Sequence, residues 1–227
     1  MRSIAAAGFK VWAVLFTVVF AGSIAAQNIA PNQNFDAGLS PWGQFLSSAP
    51  DPSGSGAAPS WLSTIDYSSN PSSGSAQVDI STTTPAADAA SGISQCVNFV
   101  TATPINTINY GINVRVPTTT STDSSINATV EVRLFSSANC TGFVSGGTQG
   151  RDLLVGLASN TTWYGLGDTN FVPPGAPVLT ASAEFRAYLR QINGVGPSTT
   201  DYKVDFDGAH LVLNSSTPVR LQAFEVD

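Results

Sequence analysis

The strongest constraint on the fold is an alternation of apolar and polar residues that recurs along the chain. Apolar side chains occupy every second position in segments 108–116 (INYGINVRV) and 126–135 (INATVEVRLF). Successive side chains of a strand point to opposite faces, so this period of two predicts strands with one buried face. Segment 178–192 contains AEFRAYLRQI and could also form a helix, but its alternation favours a strand. The same criterion predicts strands at 76–81, 92–100, 161–166 and 201–213.

Segments rich in glycine, proline, serine and threonine separate these strands. They are expected to form turns and loops, and they lie at 47–60, 68–75, 117–125, 145–150 and 172–177. Short strands at regular spacing between such turns are typical of a sandwich or a barrel. About 200 residues suit one all-β domain, and the sequence contains no internal repeat.

Residues 1–26 have the form of a secretory signal. Arg2 and Lys10 form a positively charged segment before the apolar run 11–22. Small residues suited to cleavage follow at 23–26. The run is short for a membrane span, which needs about 20 apolar residues; an uncleaved anchor is the alternative. The sequence therefore predicts a secreted protein, extracellular or periplasmic.

The charge balance excludes several kinds of partner. Removing Arg2 and Lys10 from the 9 basic residues leaves 7 against 15 acidic residues, a net charge of −8. Such a charge argues against binding to nucleic acid or to an anionic membrane surface.

The two cysteines, Cys96 and Cys140, belong to a chain bound for an oxidising compartment. We predict one Cys96–Cys140 disulfide. Two free buried thiols are the alternative, which fits a secreted protein poorly.

Segment 201–213, DYKVDFDGAHLVL, changes its apolar phase. Tyr202, Val204 and Phe206 occupy even positions, whereas the later apolar residues occupy odd ones. One extra residue in a strand produces such a shift, so we predict a β-bulge at Asp207-Gly208.

The two ends of the domain together resemble a known family. Segment 32–42 (NQNFDAGLSPW) resembles the first strand of carbohydrate-binding-module-like jelly rolls of the families 4 and 9 type, which are galactose-binding-like. Segment 206–213 (FDGAHLVL) resembles their closing strand. Between them, NPSSGSAQV and GISQCVNF look like the second and third strands of that pattern. The resemblance implies a jelly-roll β-sandwich of two antiparallel sheets over residues 27–213, followed by a tail, 214–227, that could add one strand.

Proteins of this family commonly hold a structural calcium ion where the first and last strands meet. Asp36 matches the carboxylate of the opening motif and Asp207 the first carboxylate of the closing motif, so the resemblance implies Ca²⁺ held by these two residues. Backbone carbonyls and the Asn34 amide could complete the oxygen ligands that calcium prefers. The alternative is that Asp36 accepts hydrogen bonds in a turn and Asp207 caps the bulge. The residues expected in the core here are Phe35, Leu39 and Trp42.

Aromatic side chains stack on the apolar faces of sugar rings, and polar groups fix the orientation of the sugar. The candidate ligand-binding residues are Trp61, Tyr67, Trp163 and Tyr164. Adjacent strand residues point to opposite faces, so only one of Trp163 and Tyr164 can face a binding cleft. Each candidate could instead be a packing residue.

The sequence does not predict an enzyme. His210, the only histidine, alternates outward and lacks partners for a metal site or a catalytic triad. A glycoside hydrolase needs two carboxyl groups held together, yet Glu131, Glu184 and Glu225 have no acidic neighbour in an obvious cleft.

The sequence thus favours a secreted, non-catalytic protein that binds a polysaccharide or cell-envelope glycan. The main alternative is a surface or matrix protein that uses the sandwich for protein–protein contacts. A small hydrolase is a third possibility, and the oligomeric state is left open.

Overall fold

The computed structural model describes residues 28–46, 58–80, 90–117, 126–152, 161–191 and 202–215. The predicted signal, residues 1–26, and residues 216–227 of the predicted tail lie outside these ranges. Within them every regular element is a strand, and no helix is long and apolar enough to cross a membrane. The strands are β1 (Gly43–Leu46), β2 (Ser60–Leu62), β3 (Ser75–Ile80), β4 (Ala90–Arg115), β5 (Ile126–Ser137), β6 (Thr141–Asp152), β7 (Trp163–Phe171), β8 (Val178–Gln191) and β9 (Tyr202–Ser215).

The strands form an all-β jelly-roll sandwich whose two antiparallel sheets share β4. The first half of β4 pairs with β1 and β8; β8 pairs with β5, and β5 with β6. We name this layer the first sheet. The second half of β4 pairs with β7 and β9; β9 pairs with β3, and β3 with β2. This layer is the second sheet, and the predicted fold class is confirmed.

Strand β4 joins two segments that the sequence predicts as separate strands, 92–100 and 108–116. It runs unbroken for 26 residues. Its register with β8 shifts between Asn98 and Thr103, and such an irregularity lets a strand bend from one layer of a sandwich into the other. The alternation in 92–100 and in 108–116 does not indicate that the residues between these two segments also belong to the strand.

The core lies between the two sheets and contains the alternating residues as predicted. Tyr110, Phe185 and Phe206 are fully buried. The opening motif adds Phe35 and Trp42, whose rings lie 5.5 Å apart, and Trp42 meets Phe185 edge-on at 5.6 Å. The core positions of Phe35, Trp42 and the partly buried Leu39 are therefore confirmed.

The bulge in β9 is confirmed by its pairing with β4. Gly111 faces His210 and Asn113 faces Asp207, so β9 has one residue more than β4 between these pairs. Gly208 adopts φ +61°, a left-handed conformation that glycine reaches without strain.

The opening segment lies beside β9, but residues 31–42 form turns rather than the first strand that the resemblance implies, and β1 pairs with β4 instead of β9. The Ile29 amide donates a hydrogen bond to the Leu211 carbonyl at 2.8 Å, and the Ala209 amide donates to the Gln33 carbonyl at 2.9 Å. The two ends of the domain are therefore held together by backbone hydrogen bonds.

Strand β6 includes 145–150, where the sequence predicts a turn, so that prediction is wrong. Glycine suits these strand positions because neighbouring atoms approach the backbone too closely to leave room for a side chain. A Cβ on Gly146 would lie 2.3 Å from the Val132 carbonyl oxygen, and one on Gly147 would lie 2.7 Å from the Phe171 ring.

Candidate functional site

The turn of the β5–β6 hairpin folds over the outer face of the first sheet. Cys140 in this turn is disulfide-bonded to Cys96 of β4, with 6.0 Å between the Cα atoms. Because β8 lies between β5 and β4, a flat hairpin would hold the two cysteines about 10 Å apart, which is two strand spacings. The turn instead reaches across β8, where the Cys140 amide donates to Ser182 Oγ at 3.0 Å. The predicted disulfide is confirmed, and it lies at one end of this outer face. We name the face the trough; its side chains are Phe45, Glu131, Arg133, Phe143, Glu184, Arg186 and Tyr188.

Arg186 of β8 stands in the middle of the trough. Its Nη1 donates to Glu131 Oε2 at 3.3 Å and its Nη2 to Glu184 Oε2 at 2.7 Å. Its guanidinium also lies 4.5 Å from the centroid of the Phe45 ring. The side chains of Arg186, Glu131 and Glu184 are 14–21 % exposed. Two carboxylates and an aromatic ring therefore fix the guanidinium in a position that solvent still reaches.

Aromatic rings lie on both sides of this charged centre. At one end, the rings of Phe45 and Tyr188 are 5.0 Å apart. Burial, helped by the charge of Glu131, raises the pKa of Tyr188 to about 12, so its hydroxyl remains protonated. Toward the disulfide, Arg133 lies 4.6 Å from the centroid of Phe143, which is 54 % exposed.

The sequence did not identify the trough. Glu131 and Glu184 both form ion pairs with Arg186, a shared contact that the sequence did not predict. The available signal was the set of charged and aromatic residues on the outward positions of β5 and β8. Their meeting depends on the pairing of these two strands, in which Glu131 faces Arg186.

Two of the four predicted ligand-binding residues come together elsewhere. The rings of Tyr67 and Trp163 meet edge-on, 6.0 Å apart, on the side of the second sheet. Tyr164 packs against the core, so only Trp163 of this adjacent pair faces outward, as expected from the alternation. Trp61 lies apart, and its indole Nε1 donates to the Phe35 carbonyl at 2.9 Å.

The two predicted calcium ligands lie in different surroundings. Asp36 is exposed, whereas Asp207 is only 2 % exposed. The Asp207 oxygens accept hydrogen bonds from the backbone amides of Tyr67 at 2.7 Å and Gly208 at 2.6 Å. The described ranges contain no group of three or more His, Cys, Asp or Glu side chains that could hold a metal ion. Both Asp207 side-chain oxygens thus already accept a hydrogen bond from a backbone amide. Calcium bound by Asp36 and Asp207 stays a prediction.

The protonation of Asp207 is expected to make stability depend on pH. Burial raises its pKa from 3.8 to about 7, although the two backbone amides act in the opposite direction. Between about pH 4 and pH 7 the folded chain therefore binds more protons at this site than the unfolded chain does, and the free energy of unfolding falls as pH rises. We expect thermal denaturation in calcium-free buffer to show this decline, and Asp207→Asn to flatten it.

The same denaturation experiments test the calcium prediction. Calcium favours an ionised carboxylate, so added Ca²⁺ should raise the Tm of the native protein above pH 7 and leave Asp207→Asn unchanged. An equal response of both proteins would contradict a role for Asp207 in binding the ion.

The sequence matches no family model and no curated protein, whereas solved structures do resemble the fold. One comes from a study of the promiscuous specificity of carbohydrate-binding modules of the β-sandwich superfamily. Its TM-score is 0.52 and its sequence identity is 7 %, over an alignment that covers 82 % of this chain. The chain spans only 63 % of the length of that structure. A CBM22-2 xylan-binding domain of Paenibacillus barcinonensis Xyn10C has a TM-score of 0.43, 9 % identity and coverages of 80 % and 98 %. A family 30 carbohydrate-binding module has a TM-score of 0.45, 9 % identity and coverages of 86 % and 92 %. The first likeness establishes the carbohydrate-binding-module-like jelly-roll fold.

Proposed function

We propose that the protein is a secreted, non-catalytic carbohydrate-binding protein and that a polysaccharide lies along the trough. One observation carries this proposal: Arg186, fixed between Glu131 and Glu184, stands between two groups of aromatic side chains on one sheet face. The fold it shares with carbohydrate-binding modules supports the same conclusion by analogy.

The chemistry of the trough suits a sugar chain. Hydroxyl groups can accept hydrogen bonds from Arg186 and donate to the two glutamates, while the apolar faces of the rings contact Phe45 or Phe143. Because the guanidinium is already oriented, less side-chain entropy is lost when a ligand binds. Residues 182–188 of β8 span about 20 Å along the trough, enough for several sugar units.

The same contacts favour binding over hydrolysis. A glycoside hydrolase needs one carboxyl group that delivers a proton to the leaving oxygen. Glu131 and Glu184 instead both accept hydrogen bonds from Arg186. We therefore assign them to holding the guanidinium rather than to catalysis.

Affinity electrophoresis through gels that contain different polysaccharides tests the proposal. We expect at least one polysaccharide to retard the native protein. Arg186→Ala should weaken this affinity at least tenfold, about 1.4 kcal/mol, because a central arginine in an interface typically contributes this much or more. Lys203→Ala is the matched control, since it removes a cation from an ion pair with Asp79 on the second sheet.

Three outcomes would contradict the proposal. A broad panel of polysaccharides could fail to retard the native protein, or Arg186→Ala could bind as the native protein does. Release of reducing ends that is lost in Glu131→Gln would instead show catalysis.

Assembly through protein contacts is the second candidate function, and the edge of the first sheet favours it. Among the described residues, β6 pairs only with β5, and it exposes 54 % of Phe143 and 43 % of Val144. An exposed apolar edge strand can pair with another chain. Self-association in sedimentation experiments, without retardation by any glycan, would favour this candidate.

A further inference from the structure

We propose a second saccharide site on the opposite side of the sandwich, on the outer face of the second sheet, that takes one neutral sugar unit. We name it the groove; Tyr67 and Trp163 form one end, Gly165 and Asn113 the floor, and His210 the other end. The groove goes beyond the proposed function, and its existence does not depend on binding in the trough.

A row of paired residues holds Trp163 in place at the first end. Asp205 of β9, Arg115 of β4 and Trp163 of β7 are direct neighbours across the sheet. Arg115 Nε and Nη2 donate to Asp205 Oδ2 at 2.9 and 2.6 Å, and Gln77 Nε2 donates to Asp205 Oδ1 at 2.9 Å. The guanidinium lies 5.6 Å from the centroid of the Trp163 ring. The buried carboxylate thus fixes the arginine, and the arginine supports the indole.

Tyr67 completes an aromatic corner at this end. Its backbone amide is held by the buried Asp207 carboxylate at 2.7 Å, which ties the β2–β3 loop to the bulge of β9. Its ring is 50 % exposed and stands at 82° to the Trp163 ring, 6.0 Å away. Two nearly perpendicular rings that reach solvent can contact two sides of one sugar.

The floor of the groove is low because glycines occupy outward positions. A Cβ on Gly165 would find no atom closer than Asn113 Oδ1 at 4.0 Å, so the space above this residue is open. The His210 ring lies over Gly111, 2.5 Å from where a Cβ would be. Between these features is a depression of about 190 Å³. Its lining includes Asn113, Gly165, Gly167, Asp168, Thr169 and His210. The Tyr67 and Trp163 rings stand next to this depression rather than in its lining: Trp163 pairs with Arg115 beside the Asn113–Gly165 pair, and a Cβ on Gly208 would lie 2.7 Å from Asn113 Nδ2 and 3.5 Å from Tyr67 Cδ1.

The polar groups of the groove suit a neutral polyol. The Asn113 amide offers both a donor and an acceptor. His210 is exposed, but partial desolvation of its ring lowers its pKa, so at neutral pH the imidazole is uncharged and also offers one donor and one acceptor. The charge of Arg115 is balanced by Asp205, and the lining of the depression includes the acidic Asp168 and no lysine or arginine, which disfavours an anion.

Two sites on opposite outer faces would let one molecule hold two glycan chains, or two parts of one chain. Binding of the second segment would then be intramolecular and stronger than the groove alone provides.

Nitrogen-15 NMR spectra of the labelled protein test the groove. The probes are D-glucose, D-xylose, D-galactose and D-mannose, with sodium D-glucuronate as the anionic comparison. We expect at least one neutral sugar to shift the Trp163 indole and Asn113 side-chain amide signals in a saturable way. The Trp61 indole signal should stay unchanged, because that indole donates to Phe35 at a separate place.

A Cβ at position 165 would meet no atom closer than 4.0 Å, so Gly165→Val places its side chain in the open space of the floor, and we expect it to weaken the saturable response at least tenfold. Arg186→Ala should leave the response unchanged, so a failure of the groove and a failure of the trough are distinguishable. The proposal is overturned if none of the four neutral sugars shifts the Trp163 signal saturably, if glucuronate binds better than all of them, or if Gly165→Val binds as the native protein does.

Discussion

Replacing Arg115 with alanine is expected to lower the free energy of unfolding by about 3–5 kcal/mol, because it leaves the Asp205 carboxylate buried without its cation. Asp205 is fully buried, and two of the three hydrogen bonds to its side chain described above come from Arg115. The third comes from the neutral Gln77 amide, which cannot balance the charge. Urea denaturation of Arg115→Ala measures the loss.

Lys203→Ala provides the matched control on the same sheet. Lys203 pairs with Asp79 at 3.6 Å, and its side chain is 35 % exposed, so the loss should be at most about 1 kcal/mol. The double variant Arg115→Ala, Asp205→Ala should recover part of the stability of Arg115→Ala, since it removes the stranded charge. Equal losses for Arg115→Ala and Lys203→Ala would show that burial of Asp205 does not determine the cost.

Alternation in the sequence was sufficient to predict an all-β sandwich or barrel and most of its core, and the family resemblance selected the jelly-roll sandwich. It identified the strands of Ile108–Val116 and Ile126–Leu134, and the phase change at Asp207-Gly208 located a real bulge. Alternation depends only on which side chains are buried, so it can be read from the sequence without knowing which strands pair. It could not predict that β4 continues through Pro104, or that glycines near 146 lie in a strand, because tertiary contacts determine both.

The sites were harder to predict because each depends on residues distant in the sequence. Glu131 and Arg186 are separated by 55 residues and meet through the pairing of β5 and β8. Trp163 was a candidate on its chemistry alone, whereas its contacts with Tyr67 and Arg115 follow from the fold. Sequence patterns show which face a residue occupies, but strand order decides its neighbours.

Removing the disulfide is expected to cause the second large effect. Cys96 and Cys140 are separated by 44 residues. A crosslink that closes a loop of this length stabilises the folded state by about 4 kcal/mol, chiefly by restricting the unfolded chain. The double variant Cys96→Ser, Cys140→Ser should therefore lose about this much in urea denaturation, and reduction of the native protein should have a similar effect.

The disulfide also holds the hairpin turn over the trough, so under the proposed function its removal should weaken polysaccharide binding as well as stability. Affinity electrophoresis well below the denaturation midpoint separates the two effects, because the variant is then still folded. Asn98 and Asn139 remain hydrogen-bonded to each other across the same gap, and their two bonds of 2.9 and 2.7 Å are expected to hold the turn only in part. Full affinity in the folded double variant would mean that these side chains suffice to position the turn, and that the disulfide acts only on the unfolded chain. A several-fold loss of affinity that Lys203→Ala does not share would mean that the disulfide shapes the trough itself.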